Sequence, residues 1–114
     1  MDEPMIVRPE GLYCPAGGFF IDPRGRVDKA LVTHAHSDHA RPGHGNYLVS
    51  ESCLPLLKLR LGQEIRAEGI AYGKVCKIGN AHVSFHPAGH ILGSSQIRVE
   101  VGGRVWVVSG DYKP

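Results

Sequence analysis

The stretch Thr33-His34-Ala35-His36-Ser37-Asp38-His39 decides how this chain is read. Three imidazoles and a carboxylate follow directly on the run Lys29-Ala30-Leu31-Val32. A short apolar run ending in Val and Thr reads as a strand, so the histidines open a loop at a strand end. On an extended segment, residues two apart project to one side. His34 and His36 can therefore share a metal ion. Asp38 and His39 are adjacent, so their side chains diverge and can face a second ion. Imidazole plus carboxylate ligation suits zinc, with manganese at the oxygen-rich end.

Two later segments supply what this loop lacks. His86-Pro87-Ala88-Gly89-His90 ends one strand and Ser109-Gly110-Asp111 ends another. Strand ends are where an α/β sheet carries its site residues. His90 completes a three-histidine set with His34 and His36. Asp111 is suited to bridge two ions about 3.5–4 Å apart, the spacing of two-metal hydrolases.

The composition agrees with this picture and excludes others. The 114 residues suffice for one domain. A net charge of +2 excludes a strongly basic nucleic-acid tail and an acidic solvating tail. With 42% hydrophobic residues the chain can build a core. Its 15 glycines and 8 prolines favour strands joined by tight turns over a helical bundle. Cys14, Cys53 and Cys76 form no CxxC pair, which excludes a zinc ribbon or a thioredoxin-type site. They read as three reduced thiols of a cytoplasmic protein. The opening MDEPMIVRPEG has no apolar leader core, and no run approaches the roughly 18 apolar residues of a membrane span. No membrane partner is expected.

Along the chain, residues 1–17 read as an irregular lead-in rich in Pro and Gly. Phe19-Phe20-Ile21 is a strand ending at Asp22-Pro23, residues 29–33 a second, and residues 46–49 a third. Ser50 and Ser52 are N-cap candidates for a helix over roughly 51–61, with Leu54, Leu57 and Leu61 on one face and Gly62 closing it. Pro55 fits only in its first turn. Val83 and Phe85 alternate with Ser84 and His86, and Ile97, Val99 and Val101 alternate with Arg98 and Glu100. Gly102-Gly103 makes a tight hairpin into Val105-Trp106-Val107-Val108, which is apolar on both faces and is expected to be a central strand. The sum is an α/β domain, mostly β-strands with one clear helix.

His34-Ala35-His36-Ser37-Asp38-His39 resembles the HxHxDH signature of the metallo-β-lactamase superfamily, with His90 matching its third motif, Asp111 its fourth and Asp22 its first. More narrowly, three stretches resemble the bacterial ligase-associated DNA exonucleases, a group similar to the β-CASP nucleases. They are Gly11-Leu12-Tyr13-Cys14-Pro15, Asp38-His39-Ala40-Arg41-Pro42-Gly43-His44, and the run from His86 through Gly93-Ser94 to Ser109-Gly110-Asp111-Tyr112-Lys113. The resemblance implies the N-terminal half of an αββα sandwich. Residues 1–114 would then be a partial metallo-β-lactamase-like domain, without the C-terminal half and the β-CASP insert.

The resemblance also implies metal-dependent phosphodiester hydrolysis: a DNA exonuclease acting in DNA repair, partnered by DNA and a DNA ligase system. An RNA-processing β-CASP-type nuclease is the close rival. Two divalent ions are implied, zinc foremost and manganese second. His34, His36 and His90 would hold one, Asp38 and His39 the other, with Asp111 bridging. Asp22 is expected to fix a ligand tautomer from behind, and His86 to contact phosphate or move a proton, so that Asp38, Asp22 and His86 form the catalytic set. Members run much longer and carry a later histidine motif, leaving only one metal site complete here. A catalytically inactive metal-binding fragment is therefore the alternative. His44 is a second candidate phosphate contact, and Arg41 and Lys113 are placed to steer a polyanion. His82 reads as an exposed strand residue, and the leucine stripe as core.

Overall fold

Alternating apolar residues and well-placed turns produce two sheets, seen in a computed structural model that describes residues 5–34, 40–88 and 95–109. The first sheet holds β1 (Ile6–Arg8), β2 (Gly11–Cys14), β3 (Phe19–Ile21), β4 (Lys29–Leu31), β5 (Asn46–Ser50) and β6 (Ala67–Ile70), in that order. β1, β2 and β3 pair antiparallel, whereas β3 to β6 run parallel. The second sheet is an antiparallel meander of β7 (Cys76–Ile78), β8 (Ala81–Pro87), β9 (Ser95–Val101) and β10 (Arg104–Ser109), in spatial order β10-β9-β8-β7. One helix, α1 (Leu54–Leu61), crosses from β5 to β6.

The core has two layers. Between the sheets, Cys14, Phe19, Ile21 and Leu31 meet Val83, Phe85, Ile97 and Val99. On the other face of the first sheet, Ala30, Val32, Tyr47 and Val49 pack with Cys53 and Leu57, flanked by Leu54 and Leu61. The parallel strands are thus covered on both faces, which is why residues 30–32 are continuously apolar. The leucine stripe of α1 is core, as its spacing predicts, while Leu56 and Leu59 face solvent.

Three expectations are corrected. The lead-in is not irregular, because β1 and β2 form a hairpin on the edge of the first sheet. The helix starts at Leu54, not at 51: Ser50 Oγ accepts the Cys53 N–H at 3.2 Å, closing a turn ahead of a helix whose N-cap, Cys53, makes no side-chain cap bond. Finally, β10 is an edge strand, with Val105, Trp106 and Val107 exposed. Its two apolar faces predict neighbours on both sides, and no described strand pairs with its outer edge.

The sheets are fastened at both ends. At one end, the Asn80 N–H donates to the Ala16 carbonyl at 2.9 Å. Gly79 makes that approach feasible: its φ is +59° and a Cβ there would lie 2.4 Å from the Ala16 oxygen. At the other end, the Ser95 N–H, at the head of β9, donates to the Thr33 carbonyl at 2.7 Å. This second junction lies at the edge where the C-terminal ends of β3 to β6 converge.

Candidate metal centre

Parallel strands deliver successive chain segments to one edge. Asp22 follows β3, Thr33 and His34 follow β4, and Tyr72 follows β6. Asp22 Oδ1 accepts the Thr33 backbone N–H at 2.9 Å, and its Oδ2 accepts the Thr33 hydroxyl at 2.7 Å. Thr33 Oγ1 in turn lies 3.0 Å from His34 Nδ1.

This chain of contacts has one consistent protonation pattern. An ionised carboxylate only accepts, so the Thr33 proton points to Asp22. The hydroxyl oxygen is then left to accept, and the proton it takes is that on His34 Nδ1. A neutral His34 so fixed carries its lone pair on Nε2, the form a metal ion binds. The imidazole is 2% exposed, so the orientation is locked by packing as well. Asp22 is held in the left-handed region at φ 46°, the only non-glycine among the described residues with positive φ. Such a conformation costs about 1 kcal/mol or more and persists only where the surroundings enforce it. Here they do: the Asp22 N–H donates to the Leu31 carbonyl at 2.9 Å while both carboxylate oxygens grip Thr33.

Of the residues assigned from the sequence, His34, Asp22 and His86 are described. His36, Asp38, His39, His90 and Asp111 lie outside the described residues. Among the described residues no three metal-ligating side chains come together. His86 does not join the Asp22–Thr33–His34 chain. Strand alternation puts it on the face of β8 opposite Phe85, where its Nε2 lies 2.8 Å from Ser84 Oγ. Ser95, which pairs with Pro87, lies on the Phe85 face. His82 is exposed, as expected. Thr33 is the residue the sequence reading passes over. Its signal is its position, immediately before the first histidine of the motif.

His44 is not a phosphate contact. Its Nδ1 accepts the Val27 N–H at 3.1 Å and its Nε2 is buried. Burial pushes its pKa down, against the Val27 bond, so the ring stays neutral as the acceptor role demands. Tyr47 locks the same segment by donating its hydroxyl to the Arg41 carbonyl at 2.5 Å. Cys53 is also excluded from chemistry: burial, and then the Asp22 charge, push its thiol up to about 11, so it remains a protonated packing group. Beside it, Ser52 donates to the Tyr72 hydroxyl at 3.1 Å. Burial raises the Tyr72 pKa, but bonds from Ser52, Ser95 and Ser50 outweigh it and leave the phenol more acidic than usual. A cleft of about 680 Å³ opens against Asp22, bounded also by Ser109, Arg8, Arg24 and Arg41.

No protein-family model matches the chain. It is 33% identical over 105 residues to a probable DNA ligase of Opitutus terrae, across 90% of this chain and 10% of that protein. It is 27% identical over 119 residues to Ribonuclease TTHA0252 of Thermus thermophilus, across 82% of this chain and 27% of that protein. The chain therefore spans only a small part of the curated relatives it matches. Among solved structures it superposes on CmlA, a diiron β-hydroxylase from Streptomyces venezuelae, with a TM-score of 0.65 at 19% identity, covering 96% of this chain and 30% of that one. On the metallo-β-lactamase SMB-1 the TM-score is 0.56 at 18% identity, covering 94% of this chain and 59% of that one. The two sheets and single helix are thus a portion of a metallo-β-lactamase fold. The sequence relatives are a ligase-named protein and a ribonuclease. No described helix is long and apolar enough to cross a membrane.

Proposed function

We propose that this chain is the metal-binding portion of a metal-dependent phosphodiester hydrolase, a DNA exonuclease of the ligase-associated type working in cytoplasmic DNA repair. The observation that carries this reading is the Asp22–Thr33–His34 chain, which prepares an imidazole Nε2 for a metal at the head of the His34–His39 run. The similarity to a ligase-named protein supports a DNA substrate and a ligase partner. In this reading His34, His36 and His90 hold one divalent ion, Asp38 and His39 contribute to a second, and Asp111 bridges. Zinc fits the imidazole-rich donor set best, with manganese the alternative. When bound, the ions supply Lewis-acid activation of water and neutralise phosphate charge.

The protein's own groups do the rest. Asp22, through Thr33, keeps the His34 ring in one tautomer and one orientation, so no reorganisation is needed when substrate arrives. Ser95, bonded to the Thr33 carbonyl, holds the second sheet against that support. The proton-transfer role proposed for His86 requires its Nε2 to exchange Ser84 for substrate.

One specific observation favours a narrower alternative: similarity to a ribonuclease favours an RNA substrate. A metal-binding chain without turnover is the other alternative carried from the sequence. Elemental analysis of the zinc-loaded or manganese-loaded chain, with hydrolysis of end-labelled single-stranded DNA and RNA, separates them. Two ions with faster DNA cleavage uphold the exonuclease, and faster RNA cleavage transfers the assignment to RNA. One ion without turnover identifies the inactive fragment, and no retained ion refutes the metal site altogether.

A further inference from the structure

The stretch that follows the His34–His39 run is unusually well bonded for a connection between strands. Its first residue, Ala40, is 2% exposed and belongs to the core layer of Val32, Tyr47, Val49 and Leu57. Val27, in the connection from β3 to β4, engages the stretch twice. Its N–H donates to His44 Nδ1 at 3.1 Å, and its carbonyl accepts the Gly45 N–H at 3.0 Å. The Asn46 N–H then donates to the Asp28 carbonyl at 2.7 Å. Gly45 permits this approach, since a Cβ there would lie 2.8 Å from the Asp28 oxygen. Tyr47, on β5, ties the stretch from its other side: its hydroxyl donates to the Arg41 carbonyl at 2.5 Å and accepts the His44 N–H at 3.4 Å. The His44 and Tyr47 ring centroids are 5.3 Å apart.

Burying polar rings costs free energy unless their polar atoms are used. His44 is 9% exposed and its Nδ1 is taken by the Val27 N–H. Tyr47 is 3% exposed and its hydroxyl both donates to and accepts from the backbone of residues 41–44. Both side chains therefore act on the main chain just beyond the run of candidate ligands. Ligands strung along a short run bind an ion most tightly when both ends of the run are already placed, because less ordering entropy is lost on binding. Asp22 and Thr33 place one end, at His34.

We propose that His44 and Tyr47 are positioning residues for the metal site: bound to Val27 and Arg41, they place the far end of the ligand run as Asp22 and Thr33 place its start. The proposal rests on the metal-binding reading of His34–His39 and gives two residues outside that run a part in it.

The experiment is zinc titration of the full chain against a competing chelator, with amide hydrogen exchange in EDTA alongside. His44→Leu removes the acceptor, Tyr47→Phe removes the hydroxyl alone, and His44→Asn returns an acceptor oxygen to the place of Nδ1. The leucine and phenylalanine variants are expected to bind zinc about tenfold more weakly, the lower end of what supports of metal ligands are worth. His44→Asn is expected to stay within about threefold of the parent. In EDTA the Val27 amide is expected to exchange faster in His44→Leu and at the parental rate in His44→Asn. Gly79→Ala, which strains the opposite junction of the sheets, controls for stability alone and is expected to keep parental affinity. Parental affinity in the leucine or the phenylalanine variant overturns the proposal and leaves the metal site standing. So do equal weakening in Gly79→Ala, no recovery in His44→Asn, or unchanged Val27 exchange in His44→Leu. A parent chain that retains no zinc overturns the metal reading itself, and this proposal with it. Circular dichroism checks folding, and Tyr47→Phe, smaller by one oxygen, carries the comparison if His44→Leu unfolds.

Discussion

At the scale of single residues, Thr33 is the piece on which the site turns. Its hydroxyl passes the orienting effect of Asp22 to His34, a task usually done by direct contact between carboxylate and imidazole. Thr33→Val keeps the shape and removes the relay. Outer partners of metal-binding histidines are worth about 10–100-fold in affinity, and a loss of that size is expected. Thr33→Ser restores the hydroxyl and is expected to stay within threefold of the parent. Titration with zinc against a competing chelator measures both, and a valine variant with parental affinity would refute the relay. The sequence singles out Asp22 because a strand ends on it, and the structure places its carboxylate against Thr33, beside His34. The relay was not legible, because Thr33 looks like the last residue of a strand until the fold brings Asp22 beside it. The burial of His44 was hidden for the same reason: its acceptor role depends on Val27, seventeen residues away.

At the scale of elements, legibility followed length or an unbroken apolar run. β9 and most of β8 are long enough for alternation to show, and the parallel strands β3, β4 and β5 are marked by apolar runs. β1, β6 and β7 have three or four residues each, and only pairing with neighbours makes them strands. Their sequences carry no period to detect. The turn before β8 shows how such weak elements are held. Gly79→Ala would need a left-handed alanine and would drive its methyl group against the Ala16 carbonyl. A destabilisation of at least about 1 kcal/mol is expected, corresponding to a fall in Tm of about 4–8 °C for a domain of this size. Thermal unfolding followed by circular dichroism reads it directly. An unchanged Tm would mean that the contact between the β2–β3 and β7–β8 turns does not hold the sheets together.

At the scale of the whole molecule, no described strand pairs with the outer edge of β10, which carries the exposed Val105, Trp106 and Val107, a combination that invites strand addition from another chain. The isolated chain is expected to self-associate with rising concentration. Val107→Lys, at a position 56% exposed, is expected to reduce that association without loss of folding. Light scattering coupled to size-exclusion chromatography distinguishes the two species, and identical elution of both chains would show that the edge is not the contact. The same edge carries the chain's single tryptophan. Its indole is therefore a built-in optical reporter: whatever strand comes to lie along β10 strips water from that ring and shifts its emission to the blue, so docking can be followed in real time without a label.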